Sequence, residues 1–169
     1  MRTYGIVAEW NPFHNGHLHL LRTIRSHDPS ACIISAMSGP FCQQGEGAIA
    51  DKWQRAEMAL LSGVDLIIEL PQAGATSSLE TFASAGVATL LALTPLDGLW
   101  CGSESGDIGL ITAQASYLKA HRKDFDCFIK SSVSGGISYA ASSQAFLAKA
   151  GLTGKDLRHA PNDRLALQY

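Results

Sequence analysis

Residues Asn11 to His17 read Asn-Pro-Phe-His-Asn-Gly-His, two imidazoles three positions apart with a glycine between them. A histidine ring can donate a hydrogen bond to a phosphoryl oxygen, and a glycine lets a bulky phosphate approach the backbone with no Cβ in the way. Pro12 donates no N–H and stiffens the turn that leads in. If a helix starts near Asn15 or Gly16, His14 stands at its entrance and His17 in its first turn. Both then lie beside free backbone N–H groups and the positive end of the helix dipole, which makes an anion site. One preorganised donor aimed at charge developing in a transition state is worth about 3–4 kcal/mol. Replacing His17 is therefore expected to lower turnover 100- to 1,000-fold with little change in melting temperature. The plain alternative is a loop with two surface histidines. A zinc site on His14, His17 and His19 fits poorly, because His17 and His19 point to different faces of a helix and no cysteine or carboxylate has the right spacing.

Two further stretches carry chemistry. In Asp51–Leu61, Lys52 and Arg55 lie one turn apart at the start of a helix, where cations oppose the dipole unless an anion compensates. That points to a polyphosphate nearby, with Lys52 as a candidate catalytic cation; the alternative is a pair of solvated surface charges. Glu46 is a metal ligand or a loop residue, with the loop reading favoured, while Asp65 and Glu69 read as solvent-facing or structural. Gly-Ser-Glu-Ser-Gly-Asp, from Gly102 to Asp107, suits close approach of a ribose or adenine ring. It reads equally well as a strand-to-helix turn with an N-cap. Asn162 or Asp163 would pass as an ordinary helix cap.

These residues need elements to hold them. Apolar runs at 4–9, 32–37, 64–70 and 96–101 read as buried strands, and 17–25, 51–61, 79–93 and 107–122 as helices between and after them. Continuous apolar strands separated by helices predict a doubly wound parallel α/β sheet, which binds ligands beyond the carboxyl ends of its strands. After Arg122 three helices are expected, at 124–132, 137–150 and from Asp163 onward. The division falls into a core, 1–123, and a helical segment, 124–169, expected to open a longer C-terminal region. With 169 residues, 46% hydrophobic and 17% charged, the chain can bury a real core. A net charge of −2 makes it a poor stand-alone nucleic-acid binder. Four cysteines without CxxC spacing, no signal-peptide pattern and no membrane-length apolar run predict a cytoplasmic protein with no membrane association.

Taken together, four segments resemble the bacterial tRNA(Met) cytidine acetate ligases. They are GIVAEWNPFHNGHLHLL, SGPFCQQGEGAIADKWQRAEMALLSGVDLIIELP, CGSESGD and PNDRLALQY, and they run from Gly5 to Tyr169. The resemblance implies a Rossmann-like nucleotidyltransferase fold and an ATP-dependent ligase. Such an enzyme forms acetyl-AMP and acetylates the wobble cytidine of elongator tRNA(Met). It implies ATP contacts at Val7, Ala8, Glu9, Asn11, Phe13, His14, Gly16, His17, Gly102 and Asn162, with Mg2+ on the polyphosphate. Acetate and tRNA are the further partners, the tRNA held mostly by regions beyond this sequence. The chain departs from the family at Gln44, where an arginine is usual, and at Pro40, where an asparagine is common. Alternatives are an adenylyltransferase acting on a small phosphorylated metabolite and a non-catalytic nucleotide-binding remnant.

Overall fold

A computed structural model describes residues 1–154 and 159–169. By their packing the described residues form two compact units, Met1–Gly102 with Tyr169 and Ser103–Gln168. The sequence division at 123 places the helix after Gly106 with the core; in the structure that helix packs against the next one and belongs to the second unit.

The first unit is a four-stranded parallel sheet in the order β3-β2-β1-β4. Its strands are β1 (Thr3–Ala8), β2 (Cys32–Met37), β3 (Leu66–Glu69) and β4 (Gly98–Leu99). Helices α1 (Asn15–His27), α2 (Lys52–Leu61), a short α3 (Gln72–Ala75) and α4 (Leu79–Leu93) connect them. Alternation along β1 shows why its sequence is apolar throughout. Tyr4 and Ile6 face a core with Leu21 and Ile24 of α1, Ile33 and Met37 of β2, and Ala59 of α2. Gly5 and Val7 face α4 instead: a Cβ on Gly5 would meet Leu90, and one on Gly86 would meet Val7 at 2.4 Å. Burying side chains such as Leu21 and Ile24 stabilises the unit by about 1.5–3 kcal/mol each, and Ile24→Ala would cost more because a cavity remains.

Strand order reverses beside β1: β2 and β3 lie on one side of it and β4 on the other. The carboxyl ends of β1 and β4 therefore flank the switch point, where sheets of this kind hold ligands. Residues 9–17 leave one of these ends and Gly102 follows the other. β4 is shorter than the apolar run predicts, pairing through two residues only. α3 follows Pro71, where the sequence reading has no element.

The second unit carries α5 (Ile108–Ala120), α6 (Arg122–Ser134), α7 (Tyr139–Lys149) and α8 (Pro161–Ala166). Ile111, Leu147 and Leu167 form its small apolar cluster. Among the described residues no helix is long and apolar enough to cross a membrane.

Candidate functional site

The chain leaves β1 through Trp10, whose φ of 48° lies in the left-handed region. That conformation costs a non-glycine residue on the order of 1–3 kcal/mol. It is offset by burial of the indole, 1% exposed, and by a 3.0 Å hydrogen bond from its Nε1 to Ser35 Oγ. The turn that follows places His14 as the N-cap of α1 and His17 at its third position.

These two residues cap the helix reciprocally. Gly16 N donates to His14 Nδ1 at 3.1 Å, and His14 N donates to His17 Nδ1 at 3.2 Å. A ring nitrogen that accepts carries no proton, so each neutral imidazole keeps its hydrogen on Nε2. The rings stack with centroids 3.6 Å apart and planes 20° apart. Two N–H donors are thus held by the fold itself, at a helix end with no acidic residue in its first turn. Gly16 has a local reason as well as a ligand-facing one: a Cβ there would lie 2.9 Å from His14 Cε1 and push the ring off its seat.

His17 is half-buried, with Trp10 edge-on at 4.7 Å and Phe13 at 5.4 Å. Desolvation, with the neighbouring His14 ring adding to it, lowers its pKa from 6.5 to about 4. The hydrogen bond accepted at Nδ1 acts in the same direction, since a protonated ring would lose it. His17 is therefore neutral at physiological pH and stays a donor through Nε2 alone.

The other positions named from the sequence fall into distinct groups. Val7 and Ala8 end β1; Ala8 O accepts from Ser38 N at 3.3 Å, and the Tyr169 hydroxyl lies 3.5 Å from Val7 O. Glu9 accepts from Gln43 N at 2.6 Å through its carboxylate. Asn11 spends both ends of its amide on the loop after β2, donating to Cys42 Sγ at 3.0 Å and accepting from Ile49 N at 2.8 Å. Phe13 is a wall of the histidine pair. Val7 to His17 are therefore gathered in one turn, and Gly102 is exposed past β4.

The two α2 cations part company. Lys52 pairs with Glu69 at 2.6 Å, with its ammonium 5.2 Å from the Trp53 ring centroid. Arg55 is neither a solvated surface charge nor open to a phosphate: it is fully buried and donates to the carbonyls of Glu9, Ser38, Gly39 and Ala50. No local pattern around position 55 announces this, because three of its four acceptors lie 16 to 46 residues away.

On the second unit, the turn after Gly102 spends its donors internally. Ser103 Oγ and the Glu104 and Ser105 N–H groups all donate to Asp163, and Gly106 N donates to Ser103 Oγ at 2.8 Å. Burial pushes the Asp163 carboxyl up, but bonds from Ser103, Ser105 and Glu104 outweigh it and hold it below the usual range. Glu104 returns the favour to α8, accepting from Asn162 Nδ2 at 2.8 Å and Asp163 N at 2.9 Å. Asp107 caps α5 through Leu110 N at 2.9 Å. Residues 103–107 are thus a strand-to-helix turn closed by Asp163, and the sequence reading misses that residue's part in it.

The model of the HIGH Nucleotidyl Transferase family matches residues 1–169. The tRNA(Met) cytidine acetate ligase of Geobacillus sp. (strain WCH70) is 39% identical over all of this chain and 42% of its own length. That of Syntrophotalea carbinolica is 41% identical over all of this chain and 41% of its own. Among solved structures, Thermotoga maritima TmcAL bound with alpha-thio ATP aligns with a TM-score of 0.84 at 34% identity, covering all of this chain and 42% of that one. The apo form of the same protein aligns with the same score and identity. The chain thus spans about two-fifths of the length of these relatives.

Proposed function

We propose, for a chain that belongs to the HIGH nucleotidyl transferase family, that it is the ATP-binding portion of an acetate ligase acting on tRNA. The reading rests on one observation: two stacked imidazoles at the tip of α1, each with Nδ1 engaged by the backbone and Nε2–H left to donate. Their chemistry suits phosphates at the switch point. A carboxylate oxygen of acetate attacks the α-phosphorus of ATP, the bond to the bridging oxygen breaks, and pyrophosphate leaves with the electron pair. The Nε2–H donors and the positive end of the helix dipole oppose the charge that grows on the phosphoryl oxygens. The acetyl group of the resulting acetyl-AMP then passes to the exocyclic amine of the wobble cytidine of elongator tRNA(Met); AMP leaves and the amine gives up a proton. Likeness to ligases of that name supports the substrate choice. Among the described residues no group of three or more His, Cys, Asp and Glu is placed to hold a metal, so Mg2+ would arrive on the polyphosphate. A cytoplasmic location, where tRNA and ATP meet, belongs to the same reading.

Acetate-dependent exchange of labelled pyrophosphate into ATP by the protein at its natural length tests it. Exchange that needs no acetate, or that prefers a phosphomonoester acceptor, would replace the ligase by an adenylyltransferase.

A further inference from the structure

Arg55 is fully buried, yet among the described residues no carboxylate lies in ion-pair range of it. A buried guanidinium normally has an anion beside it. Here its neighbours are carbonyl oxygens, and their positions matter. Ser38 and Gly39 follow directly after β2, Glu9 directly after β1, and Ala50 leads into α2. Beyond Ala8 and Met37 the two strands no longer pair. One planar fork thus satisfies the carbonyls at the point where the sheet's hydrogen bonding runs out, a task a single ammonium cannot perform.

The Glu9 carbonyl is the last backbone group before left-handed Trp10, whose indole packs against His17. We propose that Arg55 is a positioning residue for the histidine pair, fixing through the Glu9 carbonyl the turn that seats Trp10 against His17. Asn11 ties the same turn to the loop after β2 from its other side, so the path from Arg55 to the ring runs through a segment held at both ends. The inference rests on the reading of His14 and His17 as phosphate donors, and its first measurement needs no ligand.

That measurement is the His17 titration, followed by NMR in wild type, Arg55→Lys and Arg55→Met. In wild type the half-buried ring is expected to titrate near 4. Both variants are expected to move it up by at least one pH unit, toward the ordinary value of about 6.5, as the indole wall loosens. In acetate-dependent pyrophosphate exchange the same variants should lose at least 30-fold in kcat, while KM for ATP stays within about threefold. Lys retains the charge, so restoration of wild-type kcat by Lys would make the charge and not the fork the agent, and would overturn the proposal. So would a folded variant with lowered melting temperature but unchanged His17 titration and kcat. Failure of both variants to fold at 10 °C would reduce Arg55 to a folding determinant and equally sink it. A wild-type protein that binds no ATP would instead remove the phosphate reading and leave the titration result standing.

Discussion

His14 and His17 each do two things with one ring. Their Nδ1 atoms close the helix cap, and their Nε2–H groups remain for a ligand. Loss of a capping side chain costs about 1 kcal/mol, so the stability of a His17→Ala variant should fall along with its turnover, against the expectation from sequence alone. His17→Asn keeps a short acceptor on the ring's cap side. It is expected to recover part of the melting temperature and none of the 100- to 1,000-fold loss in exchange rate; equal recovery of both would mean the ring contributes only through the cap. The lowered pKa gives a second outcome. Because the folded value, about 4, lies below the unfolded 6.5, unfolded chains take up the proton first as pH falls. The stability contribution is complete above about pH 6.5 and is lost between there and about 4. At this half-buried ring the loss is on the order of 2 kcal/mol once solvent screening is allowed for. Urea midpoints of wild type and His17→Asn across that window should converge toward pH 4; parallel curves would contradict the lowered pKa of His17.

Among the elements, the contact between α4 and β1 has the least slack. A methyl on Gly86 would meet Val7 Cγ1 at 2.4 Å and Cγ2 at 2.6 Å, and neither strand nor helix backbone yields easily. Gly86→Ala is expected to destabilise the protein by about 1–3 kcal/mol and, because Val7 lies at the end of β1 that leads into the turn to His14, to weaken ATP binding as well. Val7→Ala in the same chain removes both clashing methyls, so the double variant should be more stable than the sum of the two singles. Strict additivity by thermal melts would show that the helix simply shifts. The elements themselves were largely legible: β2 and α4 lie where their apolar runs predict, and the cap at Asp107 follows from its residue type. The helix after β1 was legible as well, although it starts at Asn15, two residues before the apolar pattern at 17–25 begins. What the chain hid is long-range. Arg55 reads as a surface cation at a helix start until the carbonyls of Glu9, Ser38 and Gly39 surround it. Nothing near Asn11 in the sequence announces that Cys42 and Ile49 take both ends of its amide. Ser103 looks open until Asp163 closes it, 60 positions later. None of these partners leaves a periodicity or a local motif.

At the scale of the whole chain the decisive quantity is charge. Fifteen carboxylates face thirteen Lys and Arg side chains, for a net charge of −2. One of those cations, Arg55, is buried and spent on carbonyls, and Arg2, Arg25, Lys52 and Arg122 are paired with carboxylates. Nucleic-acid affinity rises with the number of phosphates that cations neutralise, each contact releasing condensed counterions. A chain whose balance is negative, and in which at least five of the thirteen cations are already engaged, attracts a polyanion weakly. Gln44, which stands where the family resemblance read from the sequence implies an arginine, is an exposed neutral side chain and adds no cation. The 169-residue chain is therefore expected to bind tRNA no more tightly than about 10⁻⁵ M at physiological salt, with a shallow dependence of affinity on ionic strength. Gln44→Arg should steepen that dependence by roughly one phosphate contact and leave ATP binding as it was. Filter binding or fluorescence anisotropy at 50 and 200 mM salt reads both. A steep salt slope in the unaltered chain, with submicromolar affinity, would show a basic surface that its net charge does not announce.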